Sequence, residues 1–191
     1  HPDISSGEKI IVDQRGGIRG ASPSIGAYDP NTSYHFRTRA DGNWTANNVW
    51  QIKGLGLDDP WNNTALSPTS INAASVTILN SVAVNTNIAV AKTTIEDNAL
   101  LTVNIGRTFT INNTPRTDLD VQGTLNVLGS FTAGGYSLVD ISGTVQNFGT
   151  FTANNSTVAY SGGNQTIDNQ TYNILQLSGD GTTKTFADGI T

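Results

Sequence analysis

Two stretches toward the C-terminal end match one another. Residues 119–133 read LDVQGTLNVLGSFTA, and residues 139–153, twenty positions later, read VDISGTVQNFGTFTA. Gly123 aligns with Gly143, Thr124 with Thr144, Leu125 with Val145, Gly129 with Gly149, Phe131 with Phe151 and Ala133 with Ala153. Within each copy the apolar residues stand two apart, so they share one face of an extended chain while the residues between them point the other way. A tandem repeat of this length and period predicts a β-solenoid, one coil per repeat and each coil stacked on the last.

The same alternation marks the rest of the C-terminal two-thirds. Val76-Thr77-Ile78, Val82-Ala83-Val84, Ile88-Ala89-Val90, Leu101-Thr102-Val103, Phe109-Thr110-Ile111, Leu125-Asn126-Val127 and Val158-Ala159-Tyr160 each carry it. Turn-forming residues punctuate these runs: Asn80-Ser81, Asn85-Thr86-Asn87, Asn112-Asn113, Gly134-Gly135, Asn154-Asn155 and Gly162-Gly163-Asn164. Asn and Gly accept the left-handed backbone that a solenoid corner requires. Aligning Leu101–Thr110 with Leu125–Thr132 takes two single-residue insertions, which we place at corners. Charged residues make up only 13% of the chain, too few to clothe long amphipathic helices. The expected fold is all-β: a parallel β-solenoid (β-helix) with an irregular, Trp-rich N-terminal cap.

Three segments follow. Residues 1–30 are broken by glycine and read as the C-terminal remnant of an upstream β-helix domain or a linker. Residues 31–70 read as connector and cap; all three tryptophans, Trp44, Trp50 and Trp61, fall there. A solenoid end exposes an apolar cross-section, and large aromatics in a compact cap cover it efficiently. The same rings could instead form a glycan-stacking platform. Residues 71–191 carry the repeats, which are expected to continue beyond residue 191.

A net charge of −5 without a Lys/Arg cluster argues against nucleic acid as partner. No apolar run approaches the ~18–20 residues that cross a bilayer, so no membrane insertion is expected in this segment. The chain has neither Cys nor Met, leaving no thiol or thioether to oxidise, which suits an extracellular setting.

Few residues offer chemistry. Asp120 and Asp140 occupy equivalent positions in the repeat, and stacking would bring them about 4.8 Å apart. Two such carboxylates are solvated, hold a cation, or shift their pKa. Asp118 is near enough in sequence to join them in a calcium site. A catalytic carboxylate pair is the third reading, but Lys92, Arg107, Arg116 and Lys184 share no repeat position with them. Thr108-Phe109-Thr110, Ser130-Phe131-Thr132 and Thr150-Phe151-Thr152 recur, so Thr108, Thr110, Ser130, Thr132, Thr150 and Thr152 would form an outward hydroxyl ladder. Such a ladder is a good strand surface, and on flat solenoids it can also order water on ice. His35, between Tyr34 and Phe36, is assigned to the cap, and no nucleotide-binding or hydrolase motif is present.

Three segments carry resemblances. Asp13-Gln14-Arg15-Gly16 and Ile25-Gly26-Ala27-Tyr28-Asp29 resemble the closing segment of right-handed parallel β-helix domains in large bacterial surface proteins, with Asp for the usual Glu. Phe36-Arg37-Thr38-Arg39-Ala40-Asp41-Gly42-Asn43-Trp44 resembles the stretch preceding repeat regions in secreted Bacteroidetes-type proteins. Gln165-Thr166-Ile167 and Tyr172-Asn173-Ile174-Leu175-Gln176-Leu177-Ser178-Gly179, followed by Gly181-Thr182-Thr183-Lys184-Thr185, are similar to repeats of Bacteroidetes extracellular, adhesin-like proteins. The resemblance implies a secreted or cell-surface location and no reaction or cofactor. The expected role is a non-catalytic stalk or spacer. The alternatives are a subunit of an extracellular filament pairing with itself, a β-helix that binds or degrades surface polysaccharide, and an ice-binding face.

Overall fold

The computed structural model describes residues 33–56, 58–114 and 116–187. The expectations placed on residues 1–30 lie outside the described residues. The chain runs through β1 (Tyr34–Thr38) and β2 (Gly42–Asn43), leaves the column for β3 (Trp50–Lys53) and β4 (Asn62–Thr64), and returns to it. The first complete coil is β5 (Ala73–Ile78), β6 (Ser81–Val84) and β7 (Ile88–Val90). The second is β8 (Thr93–Ile95), β9 (Leu100–Val103) and β10 (Thr108–Ile111), and the third is β11 (Thr117–Val121), β12 (Thr124–Val127) and β13 (Ser130–Ala133). The fourth is β14 (Leu138–Ile141), β15 (Thr144–Asn147) and β16 (Thr150–Thr152). Then come β17 (Thr157–Tyr160), β18 (Gln165–Ile167), β19 (Ile174–Leu177) and β20 (Lys184–Phe186). No helix occurs among the described residues.

Equivalent strands stack in parallel and build three faces. The first runs β1-β5-β8-β11-β14-β17-β19, the second β2-β6-β9-β12-β15, and the third β7-β10-β13-β16. The fold is therefore the expected parallel β-solenoid. Its N-terminal end is more regular than expected. β1 pairs in parallel with β5, so the column already includes Tyr34, inside the segment read as connector. β3 and β4 then prolong the first face as antiparallel strands.

Alternation explains the interior. In β9, β10, β12, β13 and β14, every second residue is buried and its neighbours are half-exposed. Aromatic rings form a continuous spine through this core. Trp44 packs on Trp50 at 4.8 Å between centroids and reaches Phe109 at 6.2 Å. Phe109 stacks on Phe131 at 5.9 Å, and Phe131 on Phe151 at 5.4 Å. Phe151 and Phe148 both contact Tyr172, at 5.9 and 6.4 Å. Each fully buried Phe contributes about 1.5–3 kcal/mol by leaving water, and the stacked geometry adds to that.

Corners are set by backbone proximity. A Cβ on Gly143 would lie 2.1 Å from the carbonyl oxygens of both Gln122 and Gly123, so no side chain fits there. Asn98 and Asn154 take left-handed φ values of 66° and 47°, and Asn154 does so in a turn read from the sequence. Leu101 pairs with Leu125 and Phe109 with Phe131, which puts both expected insertions in one turn, residues 104–107 against 128–129.

The repeat alignment fails at one place. It would set Asn147 opposite Val127, inside the core. Instead a bulge lets Asn147 pair with Asn126, and Phe148 becomes fully buried. The bulge keeps an amide out of the apolar interior and puts a phenyl ring there. Asn147 Oδ1 accepts a bond from Gly149 N at 2.7 Å, and Gly149 completes the turn at φ 56°.

Candidate functional site

The outward surfaces carry three polar groupings. The first is the aspartate row on the first face. Asp120 and Asp140 are direct register partners, as the repeat predicts. Thr94 precedes Asp120 in this row, and Ala159 follows Asp140. Both carboxylates are half-buried and locally satisfied: Gln122 Nε2 donates to Asp120 Oδ2 at 2.8 Å, and Ser161 Oγ donates to Asp140 Oδ1.

Asp118 does not join them. β11 has a register irregularity between Thr117 and Leu119, which turns Asp118 inward, where it is fully buried. Its Oδ1 accepts bonds from Thr114 N and Oγ1, and its Oδ2 accepts one from Leu138 N at 2.9 Å. Asp118 is thus a staple between successive coils, with both oxygens engaged in the fold. Among the described residues no three His, Cys, Asp or Glu side chains converge as a metal-binding group.

The second grouping is the hydroxyl ladder on the third face. Thr108, Ser130 and Thr150 form one row, and Thr110, Thr132 and Thr152 the other. Phe109 and Phe131 between them are buried, and Phe151 is half-buried. The ladder spans three strands. Ala89 takes the place of Thr110 on the preceding strand, and among the described residues β16 is the last strand of the third face.

The third grouping surrounds the tryptophans, which the fold divides. Trp44 and Trp50 are buried at 1% and 0% exposure. Trp44 Nε1 donates to Pro68 O at 3.0 Å, and Trp50 Nε1 donates to Trp44 O at 2.7 Å. These two rings form an aromatic cluster in the N-terminal part of the core. Trp61 remains half-buried on the outside of β1, β3 and β4, with the Arg37 guanidinium 4.3 Å and Lys53 Nζ 5.5 Å from its ring centroid. His35 faces outward beside them, its Nδ1 2.7 Å from Ser75 Oγ. Burial first, then the positive charges of Lys53 and Lys92, hold its pKa below the ordinary 6.5.

Sequence reasoning missed this cluster because the residues stand on different strands. Its signal was the alternation His35-Phe36-Arg37-Thr38, a strand pattern inside the segment read as irregular. Tyr160 and Tyr172 were also missed as a pair. Their hydroxyls lie 3.2 Å apart, Tyr172 OH donates to Asp168 O at 2.8 Å, and burial raises both phenols above the ordinary 10. This part-buried bond ties β17 to the loop before β19.

Compared with protein-family models, with curated proteins and with solved structures, the chain matches none.

Proposed function

We propose that this chain is a non-catalytic structural segment, a stiff spacer or adhesin-like stalk, of a long extracellular surface protein. The observation that supports this reading best is the unbroken aromatic spine from Trp50 to Tyr172 within in-register parallel ladders. Each coil bonds only to its neighbours, so stiffness runs along the axis and no single residue carries the fold. The polar groups described above are committed to corners and turns or displayed on open faces. The likeness of residues 36–44 and 165–185 to Bacteroidetes-type secreted proteins favours the cell surface. Two measurements test the reading. Small-angle scattering of the purified chain should report an elongated rod, and a compact sphere would overturn the spacer role. Antibody against the chain should label intact cells of the source organism; labelling only after lysis would overturn the location.

One observation favours a second reading, stacking between copies. Among the described residues β19 lies at the edge of the first face, and its Ile174 and Leu177 are 47% and 45% exposed. An open strand edge with apolar side chains is a template for another strand. Sedimentation would show concentration-dependent association that Leu177→Lys abolishes; a monomer at all concentrations would remove this reading.

A further inference from the structure

The outward side of β1, β3 and β4 holds a group of side chains that neither the spacer role nor the core requires. His35 faces Lys53, and Arg37 faces Gln51, which faces Asn63. Arg37 is fixed twice: its Nε donates to Gln51 Oε1 at 2.9 Å, and its guanidinium lies over the Trp61 ring. Gln51 is fixed in turn, since its Nε2 donates to Asn63 Oδ1 at 3.1 Å. The guanidinium plane is therefore set before any ligand arrives. Its two terminal nitrogens have no hydrogen-bond partner among the described residues. A fixed planar fork of N–H donors matches the two oxygens of a carboxylate or sulfate.

The surroundings are cationic in a chain of net charge −5. Lys53 and Lys92 both act on His35. Along the outward row from Arg37, Thr77 and Thr94 come before the first carboxylate, Asp120. Three strand spacings put that carboxylate about 14 Å away, beyond a Debye length at ordinary salt. The nearby Asp59 turns its Oδ2 back onto Gly56 N at 3.1 Å. Around the fork stand amides (Gln51, Asn63), hydroxyls (Ser75, Thr77) and the half-buried indole of Trp61. That mixture suits sugar hydroxyls and a sugar ring. An open sheet face, unlike an enclosed pocket, accepts an extended polymer.

We propose that this face binds an acidic polysaccharide, with Arg37 taking a carboxylate or sulfate in bidentate fashion, Lys53 adding charge, and Trp61 lying against the sugar ring. The site is independent of the spacer role, which is judged by shape and location.

The experiment is retention of the full chain on immobilised polygalacturonate, dextran sulfate and neutral dextran. At least one acidic polymer should bind, with affinity falling as salt rises, and neutral dextran should not. Arg37→Gln and Trp61→Ala should each weaken binding about tenfold. Arg37→Lys should fall well short of wild type, because charge without the fork is insufficient. Lys53→Gln should weaken binding about threefold and flatten the salt dependence. Arg107→Gln, at an exposed corner elsewhere, should change nothing. Thermal midpoints check that each variant folds, and the outward-facing Lys53→Gln serves if the others do not. No retention by either acidic polymer, equal retention by neutral dextran, or full binding by both Arg37→Gln and Lys53→Gln would overturn the proposal. The two acidic polymers distinguish a carboxylate from a sulfate.

Discussion

The N-terminal and C-terminal parts of the described column are built differently. Toward the N-terminal side Trp44 and Trp50 lie in the core at no more than 1% exposure, and two antiparallel strands extend the first face beyond β1. Toward the C-terminal end the three-sided section is lost. Among the described residues the second face runs no further than β15 and the third no further than β16, while β18 and β20 form a separate two-stranded sheet. β19 shows no fully buried residue, against two in the four-residue strand β13. Stability in such a column is a sum of layers and their interfaces, so the same substitution should cost different amounts at different heights.

Phe131→Ala in the middle of the spine should have the largest effect, about 3–5 kcal/mol, because that ring is stacked against Phe109, Phe148 and Phe151. Denaturant unfolding measures it; a loss under ~1 kcal/mol would mean the spine is not packed. Asp118→Ala comes next, about 2–3 kcal/mol, because it removes a fully buried carboxylate and strands the part-buried donors of Thr114 and Leu138. Asp120→Ala, with one protein donor and half-exposed, should cost well under that in the same assay. Leu177→Ala, on the open side, should cost less than ~1 kcal/mol. Hydrogen exchange should follow the same order, with amides of β12 and β13 exchanging far more slowly than those of β19 and β20. Equal protection at both heights would erase the contrast.

The smallest effect is at His35. Its folded pKa lies below 6.5, so the folded state binds fewer protons than the unfolded chain as pH drops. Its contribution is complete above 6.5 and declines as pH falls below that value. An NMR titration should place its midpoint below 6.5, and Lys53→Gln should move it upward. A midpoint above 6.5 would contradict the packing around β1 and β3.

How much of this was legible follows from what each strand displays. Strands with apolar residues on every second position, such as Leu125-Asn126-Val127, declare their inward face in the sequence. β8 does not: Thr93 takes an inner position and satisfies its hydroxyl on Ala91 O at 2.8 Å, so Ile95 is its one apolar side chain. The pairing of Asp120 with Asp140 was readable because repeat position determines register. The removal of Asp118 from that pair was not, because one irregularity in β11 reverses where its side chain points. The bulge that buries Phe148 was hidden for the same reason: an exact twenty-residue alignment conceals a local slip. The division of the three tryptophans depends on β3 and β4, antiparallel strands that no repeat announces.

The central claim is that successive coils stack in register, and the absence of cysteine makes it directly testable. Nitroxide labels on Thr110→Cys paired with Thr132→Cys should show strong dipolar broadening in electron paramagnetic resonance, as expected for side chains one strand spacing, about 4.8 Å, apart. Thr110→Cys paired with Thr152→Cys should broaden less, at twice that spacing. Spectra of both pairs that equal the sum of the single labels, or a closer approach of 110 to 152 than to 132, would contradict the stacked column.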